Sequence, residues 1–117
     1  MRKSAGFTLV ELLIVIAIIG ILSAALIPNL IGARNRGFEA AARSCAKQIA
    51  TAQETFFIER NTYATALSQL DSGIVKTCDT SRMTVSITGA GSTDYTATVK
   101  HNSGGRQFTV TTNGITP

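Results

Sequence analysis

The twenty-five residues from Phe7 to Ile31, FTLVELLIVIAIIGILSAALIPNLI, carry one charge, and it belongs to Glu11. A helix that is apolar on every face has to be covered by a large core or by lipid. About 20 such residues, rising about 1.5 Å each, cross the roughly 30 Å of bilayer hydrocarbon. The carboxylate is the anomaly, because a charge at the centre of a spanning helix costs about 2.5 to 3.5 kcal/mol on insertion scales. Any account of the chain has to say why Glu11 is there.

Arg2 and Lys3 precede the run. Under the positive-inside bias they hold the N-terminus in the cytoplasm and send the remainder outward. Two fates for the segment compete. A secretory signal would be cut after the small residues Ser23, Ala24 and Ala25 and would release a soluble binding module beginning at Leu26. The apolar core of such a signal is shorter and free of charge, whereas this one holds Glu11 and continues past Pro28. The other fate is a retained transmembrane helix.

Charge narrows the partners. The chain has 117 residues, a net charge of +4 and a pI near 9.5, enough for one domain beyond the apolar run. From Arg34 onward nine basic residues face six acidic ones, and the densest group is the short ARNR at positions 33 to 36. That pattern belongs to a solvated, mildly basic face. Contact with nucleic acid is at most a weak expectation.

The string GFTLVELLIVIAIIGIL at positions 6 to 22 resembles the class III signal of type IV pilins and their pilin-like relatives. Gly6, Phe7, Thr8, Leu9 and Glu11 match that motif, as do Gly20 and Pro28. The six-residue leader resembles those of type IVa pilins. The resemblance implies that a prepilin peptidase cuts between Gly6 and Phe7, removing residues 1 to 6, and that the same enzyme methylates the new amino group of Phe7. It implies a homo-oligomeric helical filament, fed from the bacterial inner membrane through a pilus assembly platform, with lipid around the helix before assembly. Adhesion, twitching motility and DNA uptake are the tasks of such fibres, with weak DNA binding by the filament as a further expectation. Pseudopilins of type II secretion or competence systems, and minor pilins, share the motif and remain the alternative.

The resemblance also implies a use for Glu11. Cleavage puts an amine on Phe7, and in a bundle of helices the amine of one subunit meets the carboxylate of its neighbour. Opposite charges attract far more strongly in hydrocarbon than in water, and either one alone is costly there. The competing account has Glu11 snorkelling to the nearby cytoplasmic interface. Gly20 and Pro28 likewise have two readings: a mild kink that membrane helices tolerate, or, as the family implies, a stretch that loosens when the subunit leaves the bilayer.

Beyond Pro28, Phe38, Ala42, Cys45, Ile49, Ala52 and Phe56 recur at steps of four and three, one face of an amphipathic helix reaching about Glu59. The expected parts are a leader 1–6, a transmembrane half 7–33 and a globular head 34–117. Within the head, the helix runs to about 60, a loop spans 61–82, a β-meander 83–112 and a tail 113–117. Tyr63, Leu67 and Leu70 resemble the residues that pin this loop to the helix in pilins. Alternation marks Met83–Thr88, Tyr95–His101 and Arg106–Thr112 as strands, with GAGSTD and NSGG as turns. Short connections favour an antiparallel sheet. Val85, Ile87, Tyr95, Ala97, Val99, Phe108 and Val110 form its expected inner face. The fold class is therefore α+β: a long N-terminal helix on a small antiparallel sheet of about three strands.

Cys45 and Cys78 are the two cysteines. Outside the cytoplasm such a pair reads as a disulfide, the alternative being two buried thiols. Catalysis finds little footing. His101 is the single histidine and is expected on the surface; Asp71, Asp79 and Asp94 are scattered. Neither a metal nor a cofactor is expected, and the chain reads as a structural protein, not an enzyme.

Overall fold

The computed structural model describes residues 5–117. They form two compact units, one ending at Arg34 and one running Asn35–Pro117. Helix α1, Leu9–Arg60, contributes to both. It stops where Asn61 turns to φ 55° and donates its N–H to Phe57 O at 2.7 Å, the left-handed cap that asparagine tolerates better than most residues.

In the second unit four strands follow: β1 Met83–Thr88, β2 Thr96–His101, β3 Phe108–Thr111 and β4 Gly114–Thr116. They pair antiparallel in chain order, with Val85 opposite Val99, Val99 opposite Phe108 and Val110 opposite Ile115. The sheet thus has four strands where the sequence suggests about three. The expected tail 113–117 folds back because Thr112 and Asn113 make a two-residue turn closed by Gly114 at φ 135°, a conformation open mainly to glycine. Three residues are too few for alternation to show.

The core lies where α1 meets the sheet. Ala42, Cys45, Ala46, Ile49 and Ala52 are buried against Met83, Ala97, Val99, Phe108 and Val110. Alanine on most of the helical face lets the sheet approach closely, so bulk is supplied from the strands. Phe38 and Phe56, at the ends of the expected stripe, are half-buried.

The loop after α1 is tied down by polar contacts. The N–H of Tyr63 donates to Gly91 O at 2.9 Å, and Tyr63 packs between Phe57 and Tyr95 with centroids 4.8 Å from each. Tyr63 and Leu70 are buried and Leu67 half-buried. Burial, the Glu54 carboxylate and Tyr63 together push the Tyr95 phenol up to about 12. Cys45 and Cys78 are joined by a disulfide, Cα atoms 4.9 Å apart, which closes the loop onto the helix.

His101 is not on the surface. It is 8% exposed, its ring stacks on Phe38 at 4.5 Å, and its Nδ1 accepts the N–H of Ser103 at 3.1 Å. Strand alternation turns position 101 inward together with Ala97 and Val99, and the ring covers the end of the core.

Candidate functional site

Residues 5–8 have no regular structure, and the helix starts at Leu9. Thr8 sets that boundary. Its Oγ1 accepts the N–H of Glu11 at 3.2 Å, and Glu11 Oε2 accepts the N–H of Thr8 at 2.8 Å. This reciprocal capping box satisfies two donors that a helix start would leave orphaned. Its signature, Thr-x-x-Glu before an apolar run, is legible at positions 8 to 11 and gives Glu11 a local role besides pairing or snorkelling.

The cap has two consequences for chemistry. It keeps the Gly6–Phe7 bond outside the helix, in backbone that a protease can hold extended. It also turns the Glu11 carboxylate toward the chain's start, where Ala5, Gly6, Phe7 and Glu11 line one open hollow of about 250 Å³. A carboxylate has about four lone-pair sites, so accepting the Thr8 N–H leaves room for an ammonium. The positive end of the helix dipole favours the charge in this first turn. Phe7 itself is 91% exposed. Arg2 and Lys3, which carry the expected orientation, lie outside the described residues.

From Phe7 to Ile31 no large apolar side chain is less than 49% exposed, and such side chains occupy every face of the helix. Among the described residues nothing covers them. This segment meets the length and hydropathy of a membrane span. α1 passes through Gly20 and Pro28 without interruption. Proline has no N–H to give the Ala24 carbonyl, and one residue on, the Asn29 side chain donates to Ala25 O at 3.4 Å. Ala25, the alternative cleavage point, sits within this helix, where a protease would first have to unwind it.

Cys45 and Cys78 lie in the second unit and belong to its core. Among the described residues no three His, Cys, Asp or Glu side chains come together to hold a metal.

Residues 1–27 match the family model described as the prokaryotic N-terminal methylation motif. The chain is 39% identical over 111 residues to the type IV wide pilus major component PilA4 of Thermus thermophilus, covering 95% of this chain and 84% of that one. It is 47% identical over 62 residues to the type IV major pilin protein PilA of Myxococcus xanthus, across 53% of this chain and 28% of that one. It is 33% identical over 75 residues to the type II secretion system core protein G of Aeromonas hydrophila, across 64% of this chain and 52% of that one. With the first of these matches running nearly from end to end and the methylation motif at its head, the chain belongs to the type IV pilin family.

Proposed function

We propose that this protein is a structural subunit of a type IV pilus, held in the inner membrane and polymerised through α1 into an extracellular helical filament. The observation that carries the reading is a helix bare and apolar on all sides from Leu9 to Ile31, preceded by a capped and accessible Gly6–Phe7 bond. Such a surface is stable only in lipid or among copies of itself. A head-to-tail contact that does not close generates an open filament.

In this reading prepilin peptidase removes residues 1–6 and methylates Phe7, and the segment 7–33 spans the inner membrane with the N-terminus cytoplasmic. The assembly platform then draws subunits into the fibre, where Phe7 of one pairs with Glu11 of the next. Loosening between Gly20 and Pro28 would give the fibre stretch. Adhesion, twitching motility or DNA uptake is the task of the fibre, with partner motors supplying the work. Weak, salt-sensitive DNA binding by the filament belongs to the same reading.

The similarity to core protein G supports a second reading, a pseudopilin of type II secretion. The pilin reading is favoured because the match to PilA4 includes the head, whereas the match to core protein G spans 64% of the chain. A mass spectrum of the mature chain in fibres sheared from cells tests both processing and class. Methylated Phe7 in abundant fibres is the expected result. A chain beginning at Leu26, or absence from sheared fibres, would overturn it.

A further inference from the structure

The charges of the Asn35–Pro117 unit are sorted along α1. Toward its Asn35 end the helix carries Arg36 and Arg43, and Lys47 extends this basic side to the middle of the stretch, all three exposed. Arg106 stands beside them, 4.0 Å from Glu39. Lys100 precedes His101, which stacks on Phe38, and the carbonyl of Arg82 accepts the N–H of Asn102 at the same end of the sheet. Two carboxylates oppose these six cations, Glu39 and Asp79, and each is already within reach of an arginine.

The Arg60 end has the opposite sign. Glu54 and Glu59 stand on the helix, and Asp71 faces Glu59 across a cleft of about 150 Å³ that also contains Phe56. Asp94 lies in the turn whose Gly91 holds Tyr63. All four carboxylates are exposed. Arg60 is the opposing cation on the helix, its guanidinium over the Phe56 ring, 5.0 Å from the centroid, and the exposed Lys76, five residues after Asp71, is the eighth cation of the unit and belongs to neither cluster. The dangling carbonyls of the helix C-terminus add negative potential. The two ends are separated by the 24 helical steps from Arg36 to Arg60, about 36 Å.

Both ends also present an apolar centre inside a charged margin. At the acidic end it is Phe56. At the basic end Arg43 and Arg106 flank a cleft of about 270 Å³ whose apolar floor is the half-buried Ile115, with the buried Phe108 ring beneath it. Apolar centre and charged margin are the anatomy of a protein interface.

We infer that the acidic end of one head, Phe56 with Glu59 and Asp71, docks against the basic end of a second copy at Arg43, Lys47 and Arg106. The inference rests on the filament reading above and names the contact between its heads. One copy joined to another by unlike ends still offers one of each, so the contact can repeat from subunit to subunit along a filament. Like ends repel, so the same charges reject a subunit entering upside down. Single exposed ion pairs contribute little, and the effect comes from several acting together as water leaves the contact.

Charge reversal in the full chain, made in its own piliated cell, tests this. E59K with D71K in one variant, and R43E with K47E in another, should each lower the fibre sheared per subunit in the membrane by about tenfold or more, as loss of several coupled pairs does. The chain carrying all four substitutions should recover most of the yield. An unchanged yield in either double variant, or no recovery in the fourfold one, overturns the inference. Membrane abundance and an oxidised Cys45–Cys78 bond show that a variant has folded. Where a reversal fails that check, E59Q with D71N and R43Q with K47Q replace it. These conserve shape, and fibre yields equal to the unsubstituted chain would overturn the inference. If the unsubstituted chain itself forms no fibre, the filament reading falls and this contact falls with it; normal fibres with indifferent reversals defeat the contact alone.

Discussion

The side chain of Gln53 pairs with the backbone of Ala64 through both of its amide atoms, Nε2 donating to Ala64 O at 3.0 Å and Oε1 accepting from Ala64 N–H at 2.8 Å. Both residues are fully buried. The glutamine serves as a strand edge would, giving a loop peptide the donor and acceptor it needs beside a helix whose own backbone has none to spare. It fixes the chain's path as it leaves α1, and with it the position of Tyr63.

Gln53→Leu keeps the volume and removes the pairing, leaving two buried backbone groups without partners. Each such group costs about 1 to 3 kcal/mol, so the head should lose about 2 to 6 kcal/mol. Thermal unfolding of the chain in detergent, followed by circular dichroism, measures the loss. An unchanged midpoint would mean water takes over the Ala64 groups.

What the sequence made legible follows from what side-chain periodicity reports. α1, its buried face at Ala42, Cys45, Ile49 and Ala52, and three strands were all visible as repeats of apolar residues. Gln53 was not, because it occupies the buried face while looking polar, and its reason for being there is a peptide eleven residues on. His101 was misplaced for a similar cause: a polar type at an inward strand position, paid for by stacking on Phe38. β4 is too short to show a period. At the N-terminus the motif Gly6, Phe7 and Glu11 was plain, and the Thr-x-x-Glu spacing of Thr8 and Glu11 carried the sign of their hydrogen bonds as well.

The disulfide closes the chain between Cys45 and Cys78, a separation of 33 residues. Chain entropy assigns such a link about 3 to 4 kcal/mol. Cys45→Ala with Cys78→Ala should lower stability by about that amount, and mild reduction of the unsubstituted protein should do the same. Denaturant midpoints with and without reductant provide the check. Equal midpoints would show that packing around Ala46 and Ile49 alone holds the loop.

Tyr95 predicts an alkaline limit. Its phenol ionises near 10.0 when unfolded and at about 12 in the folded chain. Between those values the folded state keeps a proton that the unfolded state has lost, so stability falls as pH rises through the interval. Below pH 10 the contribution is level. Tyr95→Phe should flatten the fall in melting temperature between pH 10 and 12. A slope unchanged by the substitution would assign the loss to other groups.

Gly105 allows the loop after β2 to lie on α1. Its φ is 86°, and a Cβ there would stand 2.8 Å from Glu39 Cγ and 3.3 Å from the Glu39 backbone nitrogen. The side chain can swing away, but the backbone nitrogen cannot, and the torsion is strained for any L residue. Gly105→Ala should therefore destabilise the head by about 1 to 3 kcal/mol. Gly91, whose added Cβ meets nothing within 4 Å and whose φ is not positive, is the control and should tolerate alanine. Equal melting temperatures for the two variants would contradict the account.

Glu11 performs two jobs that substitution can separate. Its Oε2 caps Thr8, and its charge is the proposed partner of the Phe7 amine in a neighbouring subunit. Glu11→Gln retains an amide oxygen able to accept the Thr8 N–H but removes the charge. Thr8→Val does the reverse, deleting the Oγ1 acceptor at a cost of about 0.5 to 2 kcal/mol to the helix start while leaving the carboxylate. If neutralising the amine is what assembly requires, Glu11→Gln should lose sheared fibres as severely as Glu11→Ala, and Thr8→Val should retain most of them. The opposite order, with glutamine tolerated and valine not, would make Glu11 a cap and end the pairing proposal. Fibre yield per processed subunit is the quantity to compare, since it separates assembly from cleavage at Gly6.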